Sequence, residues 1–192
     1  MKQHSKTRKL VVTALMAAIS AVLMNLEFSI PIFPSFLRFD FSNLPALITA
    51  FGLGPVWGMA VVLIKDCVHL LNTYSGGIGE FADFMASASL VLPAGLFYMR
   101  KKTRASALLG MAVGTVLATV VSAVLNYYIL IPFYEQFMPL EQIIAASAQV
   151  IPSIDSMMDV ILFGIVPFNL FKCFVLSVIT ALLYKKISVL LK

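Results

Sequence analysis

Charge is scarce in this chain: only 12% of its 192 residues are Asp, Glu, Lys or Arg, against roughly 25% in a soluble domain. So few charges cannot cover a water-facing surface, which excludes a soluble globular protein. Cysteine is equally sparse. Cys67 and Cys173 both lie in apolar sequence and read as free thiols in helices, not as a disulfide framework. Catalytic signatures are missing as well: there is no Walker A sequence, no H-E-x-x-H, no G-x-S-x-G and no carboxylate cluster with metal spacing. Gly77-Ile-Gly-Glu-Phe-Ala82 fits G-x-G-x-x-A, but no βαβ unit surrounds it, so dinucleotide binding is rejected. Cys67-Val68-His69 offers too few ligands for a metal. Alternating ten-residue strands are absent, which argues against a transmembrane barrel. The chain is read as non-enzymatic, and any energy for pumping must come from a partner or an ion gradient.

What the chain has instead is hydrophobicity. Apolar residues make up 60% of the sequence and the mean hydropathy is +0.97. The apolar segments run roughly over 10–26, 44–64, 80–99, 105–131 and 167–184. The expectation is one all-α integral membrane domain over 1–192. The N-terminus is basic and then apolar, like a signal peptide, but further apolar segments follow, so it reads as a first helix that stays.

The net charge of +5 is explained by position. Lys2, Lys6, Arg8 and Lys9 form one basic cluster, Arg100, Lys101, Lys102 and Arg104 a second, and Lys185, Lys186 and Lys192 a third. All three flank apolar segments, as cytoplasmic anchors do, and no nucleic acid is needed. If all three are cytoplasmic, an even number of crossings separates each neighbouring pair. Gly52-Leu-Gly-Pro55 supplies the missing crossing by splitting 44–64 into helices over about 44–53 and 55–72. Six helices with both termini cytoplasmic result, with outer connections at 27–43, 73–79 and 132–166.

On this topology the polar residues gather at the outer end. Arg38 and Asp40 lie in the first outer loop, and Lys65, Asp66, His69 and Asn72 on the outward half of helix 3. Glu80 and Asp83 open helix 4, Asn126 and Tyr127 lie near the outer end of helix 5, and Asn169 and Lys172 open helix 6. A polar cluster among apolar and aromatic residues, open to the outside, describes a small-molecule pocket. Lys172 would sit ~7 Å into its helix, sharing a face with Asn169. A lysine in a bilayer costs several kcal/mol on estimates that differ widely, so it either faces a wet or ligand-filled cavity or snorkels to the interface. Plainer roles stand beside the others. Glu80 can complement a helix dipole, Lys65 and Asp66 can pair between helices, and Asn126 can join two helices. On helix 1, Ala14/Ala18 and Ala17/Ala21 give small-xxx-small spacings suited to close helix packing.

The chain resembles the substrate-binding S components of energy-coupling factor (ECF) transporters, specifically the riboflavin-specific RibU type. The resemblance rests on Pro34-Ser-Phe-Leu-Arg-Phe-Asp40-Phe-Ser-Asn-Leu-Pro45, Gly52-Leu-Gly-Pro55, Gly76-Gly-Ile-Gly-Glu80, Asn126-Tyr-Tyr-Ile-Leu-Ile-Pro132 and Pro167-Phe-Asn-Leu-Phe-Lys172. It implies six helices, both termini inside, and capture of riboflavin from outside. The family's vitamin-binding residues match Asn126, Asn169 and Lys172 here, with first-loop contacts around Phe36, Leu37 and Asp40, and with Glu80 as a further candidate. Its helix 1 alanine motif matches Ala14 and Ala18, where a transmembrane T component would dock, and two ABC ATPases would complete the importer. Riboflavin would be cargo, not a cofactor. The same residues also fit an S component for another vitamin or flavin precursor, or a stand-alone facilitator or ion-coupled carrier using Lys65 and Asp66.

Overall fold

The computed structural model describes the backbone of residues 2–73 and 75–191, and the side chains of residues 6–73 and 75–183. The side chains of Lys2 and of the third basic cluster fall outside that set. Helix α1 spans Lys2–Asn25, α2 Asn43–Leu53, α3 Pro55–His69, α4 Ile78–Arg100 and α5 Arg104–Leu125. The short helices α6 (Ile131–Tyr134), α7 (Leu140–Ala148) and α8 (Met157–Asp159) follow, and α9 (Val166–Leu191) closes the chain. Two-residue strands β1 (Phe28–Ser29) and β2 (Arg38–Phe39) pair antiparallel, Phe28 opposite Phe39. Among the described residues, five spans are long and apolar enough to cross a membrane: Lys6–Asn25, Pro55–Asn72, Ile78–Arg100, Arg104–Tyr134 and Met157–Leu183. The fold is thus an all-α, multi-pass membrane architecture. Exposed Leu10, Val22, Leu92, Val116 and Phe174 suit a lipid-facing surface.

The break expected within 44–64 falls at Gly54. Its φ of 112° is a backbone conformation that side chains rarely adopt, and its N–H closes α2 on Ala50 O at 3.1 Å. Pro55 then opens α3, where its missing N–H costs nothing. Helix α2 has 11 residues, about 16 Å, and is buried along most of its length against α1, α3, α4 and α9. It is a short helix packed among four longer ones. Helices α4 and α5 meet through Gly110 and Gly114, whose α-carbons face the backbone of Ala94 and Leu90. A Cβ at Gly114 would lie 2.5 Å from Leu90 O, so this small-xxx-small pair sets how closely the two helices approach.

Two spans run further than the sequence suggests. The fifth continues past Leu125 through a π-helical turn, Asn126–Leu130, into α6. The last begins at Met157, not near 167, and passes through a second π turn, Val160–Ile165, into α9. Each π turn ends just before a proline, Pro132 or Pro167. A proline inside a helix lacks an N–H and crowds the carbonyl four residues back. The wider turn moves that carbonyl aside, so the helix continues where the proline reads as a boundary. The segment 132–166 is therefore not one long connection. It holds the end of the fifth span, α7 and the start of the last span.

Candidate ligand-binding site

The segment 27–43 is folded onto α9 by aromatic side chains. Phe33 meets Phe168 edge-to-face at 5.3 Å and Phe171 at 5.8 Å, while Phe39 lies 6.1 Å from Phe171. The turn over residues 34–37 is closed by Leu37 N–H to Pro34 O at 2.9 Å. Leu37 is half-buried and packs against both this aromatic group and the cluster built on Ile131, Ile154 and Ile161. Phe36, one residue earlier, is exposed.

This packing delivers Asp40 to the last helix. Lys172 donates to Asp40 Oδ2 at 2.6 Å, and Asp40 Oδ1 accepts the Ser42 N–H at 2.7 Å, fixing the entry into α2. Ser20 of α1 donates to Ser42 O, tying a third element to the same point. Lys172, expected to meet a ligand, is bonded in this structure to Asp40, itself an expected contact. The depth of Lys172 differs as well. Counting from Met157, Lys172 lies about 22 Å along its span, not ~7 Å. Arg38 reaches Glu27 only at 4.0 Å on an exposed surface, a contact worth little.

Behind that pair lies a second ionic group. Lys65 is fully buried and donates to Asp66 at 2.8 Å and to Asp83 of α4, with Met24 Sδ 3.7 Å from its ammonium. Asp83 also accepts from Ser87 at 3.1 Å. Asp83 had been singled out only as a residue opening helix 4, and no spacing rule links it to a lysine 18 positions earlier.

Glu80 serves the next turn. Its Oε1 pairs with His69 Nδ1 at 2.8 Å, and its Oε2 accepts from Thr73 at 2.9 Å and Ser75 at 3.2 Å. It braces the α3–α4 connection. Below it, Asp66, Cys67, Glu80 and Phe84 contribute to the lining of a cavity of about 230 Å³. Cys67 is exposed and Cys173 buried, both as free thiols.

The asparagines mark the π turns. Asn126 opens the first, and its amide donates to Ser122 O at 2.8 Å. Asn169 follows the second, and its amide donates to Ile165 O at 2.9 Å. Each has one amide hydrogen on its own helix, and neither carbonyl oxygen takes a partner among the described residues. Half-buried amides with free acceptors at π turns, which are frequent at functional sites, are suited to a ligand carrying N–H and O–H groups. On α1 the two alanine spacings separate: Ala17 and Ala21 are in the core, whereas Ala14 and Ala18 face outward.

Buried ion pairs, half-buried amides and an aromatic cluster thus lie within a multi-pass membrane bundle. The chain belongs to the ECF transporter substrate-specific component family, whose model matches residues 8–184. More particularly, it is 33% identical to "Riboflavin transporter RibU" of Staphylococcus aureus (strain TCH60), over 97% of this chain and 94% of that one. It is 29% identical to "Riboflavin transporter FmnP" of Bacillus subtilis (strain 168), over 95% and 93% of the two chains. A solved structure described as "Structure and mechanism of the S component of a bacterial ECF transporter" superposes with a TM-score of 0.75 at 32% identity. It covers 97% of this chain and 99% of its own.

Proposed function

We propose that this chain, as one transmembrane domain over 1–192, captures riboflavin from outside and delivers it to an energising module. That module is a transmembrane T component with two ABC ATPases. The observation that carries the reading is the Asp40–Lys172 contact, which joins the first outer segment to the helix bearing Asn169. Likeness to riboflavin transporters over nearly the whole chain supports it. The ligand would lie among Asn126, Asn169 and Lys172, under Phe36, Leu37 and Asp40, with Glu80 bracing the rim. The flat flavin ring would pack on apolar and aromatic side chains, its pyrimidine-like edge would meet amides, and the ribityl hydroxyls would meet polar groups. As riboflavin enters, its hydroxyls can take over part of the Asp40–Lys172 contact, so that neither charge is left bare.

In this reading α2 counts as a crossing, completed by the segments flanking it, which makes six, and both termini are cytoplasmic. Ala14 and Ala18, small and outward-facing, would let a T-component helix approach closely. The absorption spectrum of the purified protein tests the ligand class: co-purified flavin makes it yellow. A colourless protein that a thermal-shift panel finds stabilised by a different vitamin would replace the ligand and keep the fold.

A further inference from the structure

Between α5 and α9 the bundle opens a groove of about 510 Å³. Ala112 on α5 and Ser177 and Ala181 on α9 are too small to fill it, and exposed Leu108, Phe174 and Leu182 border it. Leu108, Ala112 and Thr115 recur at helical spacing and form one stripe along α5. Arg104 stands one turn before Leu108 on that stripe. It opens the fifth span, and Leu182 lies at the end of the last, so both helices bring the groove to the same membrane boundary. From Arg104 to Thr115 the helix rises about 16 Å, half of a ~30 Å hydrocarbon core. The groove is therefore one leaflet deep. Ser177 Oγ is buried without a partner among the described residues. It can turn onto its own helix, as Thr180 does with Leu176 O at 2.7 Å, so the groove does not call for a polar occupant.

The mouth of the groove carries charge. Arg100, Lys101, Lys102 and Arg104 are all exposed, and none takes part in the ion pairs found among the described residues. We propose that the groove holds an acyl chain of one anionic phospholipid, whose headgroup phosphate lies against Arg104 and the neighbouring Lys101 and Lys102. An apolar slot one leaflet deep beneath unpaired cations matches both halves of such a molecule. A second copy of this chain is a poor match, since in the same orientation it would set its own basic cluster against this one. The surface proposed for the T component lies elsewhere, for Ala14 and Ala18 belong to α1, which packs on α2 and α3. A neutral lipid would fill the groove and leave the cations unmatched, so preference for the anionic headgroup is the distinguishing consequence. The inference is independent of the riboflavin site.

Native mass spectrometry and thermal unfolding of the detergent-purified full chain test this. The probes are dioleoylphosphatidylglycerol, dioleoylphosphatidylcholine and glycerol phosphate. Phosphatidylglycerol is retained at one molecule per chain and raises the unfolding midpoint by about 4 °C or more above phosphatidylcholine. Glycerol phosphate, which has the anionic group without the chains, does not. Lys101→Gln/Lys102→Gln/Arg104→Gln alters only exposed side chains and abolishes the preference, whereas Lys6→Gln/Lys9→Gln on α1 keeps it. Ala112→Leu fills the groove from an exposed position, and the bound phosphatidylglycerol is lost; should that variant not fold, Thr115→Leu serves in its place. Equal retention of the two lipids, an undiminished preference after the three charges are removed, or equal stabilisation by glycerol phosphate overturns the proposal. So does a native-state dimer that Ala112→Leu dissociates, which would make the groove an interface between copies.

Discussion

Asp40 and Lys172, 132 positions apart in the chain, meet at 2.6 Å, and this contact fastens the segment 27–43 to the last helix. Both side chains are largely removed from solvent, at 8% and 12% exposure. Breaking such a pair from one side leaves a charge without its counter-ion. Asp40→Asn is therefore expected to destabilise the protein by about 3 kcal/mol, whereas Asp40→Asn/Lys172→Met recovers most of that loss. Thermal unfolding in one detergent distinguishes the two. Equal loss in single and double variants would show that the pairing is not what matters.

Ligand contacts predict a graded series. Asn126→Ala and Asn169→Ala each remove a neutral amide and should weaken flavin binding about tenfold or less. Lys172→Ala removes a charged donor and should cost about ten- to a hundredfold. Fluorescence titration measures all three, and native affinity in every variant would remove these residues from the site.

The two alanine faces of α1 predict opposite failures. Ala18→Leu adds bulk to an outward face and should leave unfolding and flavin affinity near native while blocking co-purification with a T component. Ala17→Leu forces the same bulk into the core, where Ala17 is 1% exposed, and should lower stability by about 1–3 kcal/mol. Co-purification of Ala18→Leu at the native level would place the partner surface elsewhere.

At the α4–α5 seam, Gly114→Ala puts a methyl group against Leu90 O, with no flexible side chain able to yield. The helices must separate, at a cost of about 1–3 kcal/mol. Gly76→Ala meets nothing within 4 Å but carries a φ of 60°, so its penalty is conformational and about 1 kcal/mol. Chemical or thermal unfolding should rank Gly114→Ala as the more damaging.

Much of this architecture was legible because membranes enforce simple rules. Apolar length located the spans, and Gly54 with Pro55 marked the break before α3. Asp40 and Lys172, both among the polar residues that stand out in the sequence, meet in the structure. The full extent of the fifth and last spans was not legible, because π turns near Pro132 and Pro167 let each helix run past a proline. The partnership of Lys65 with Asp83 was invisible for a different reason: it is a tertiary contact between two helices whose relative rotation no local pattern encodes. The closeness of Gly110 and Gly114 to α4 did have a signal, a four-residue glycine spacing, but the reading attended to alanines.

The central claim, that riboflavin binds under the segment held by Asp40 and among Asn126, Asn169 and Lys172, is met most directly by equilibrium titration of the purified chain with riboflavin. The account predicts saturable quenching of flavin fluorescence at one ligand per chain, weakened in Lys172→Ala and Asn169→Ala samples that remain folded. Unchanged flavin fluorescence across the titration, with the native protein demonstrably folded, would contradict it.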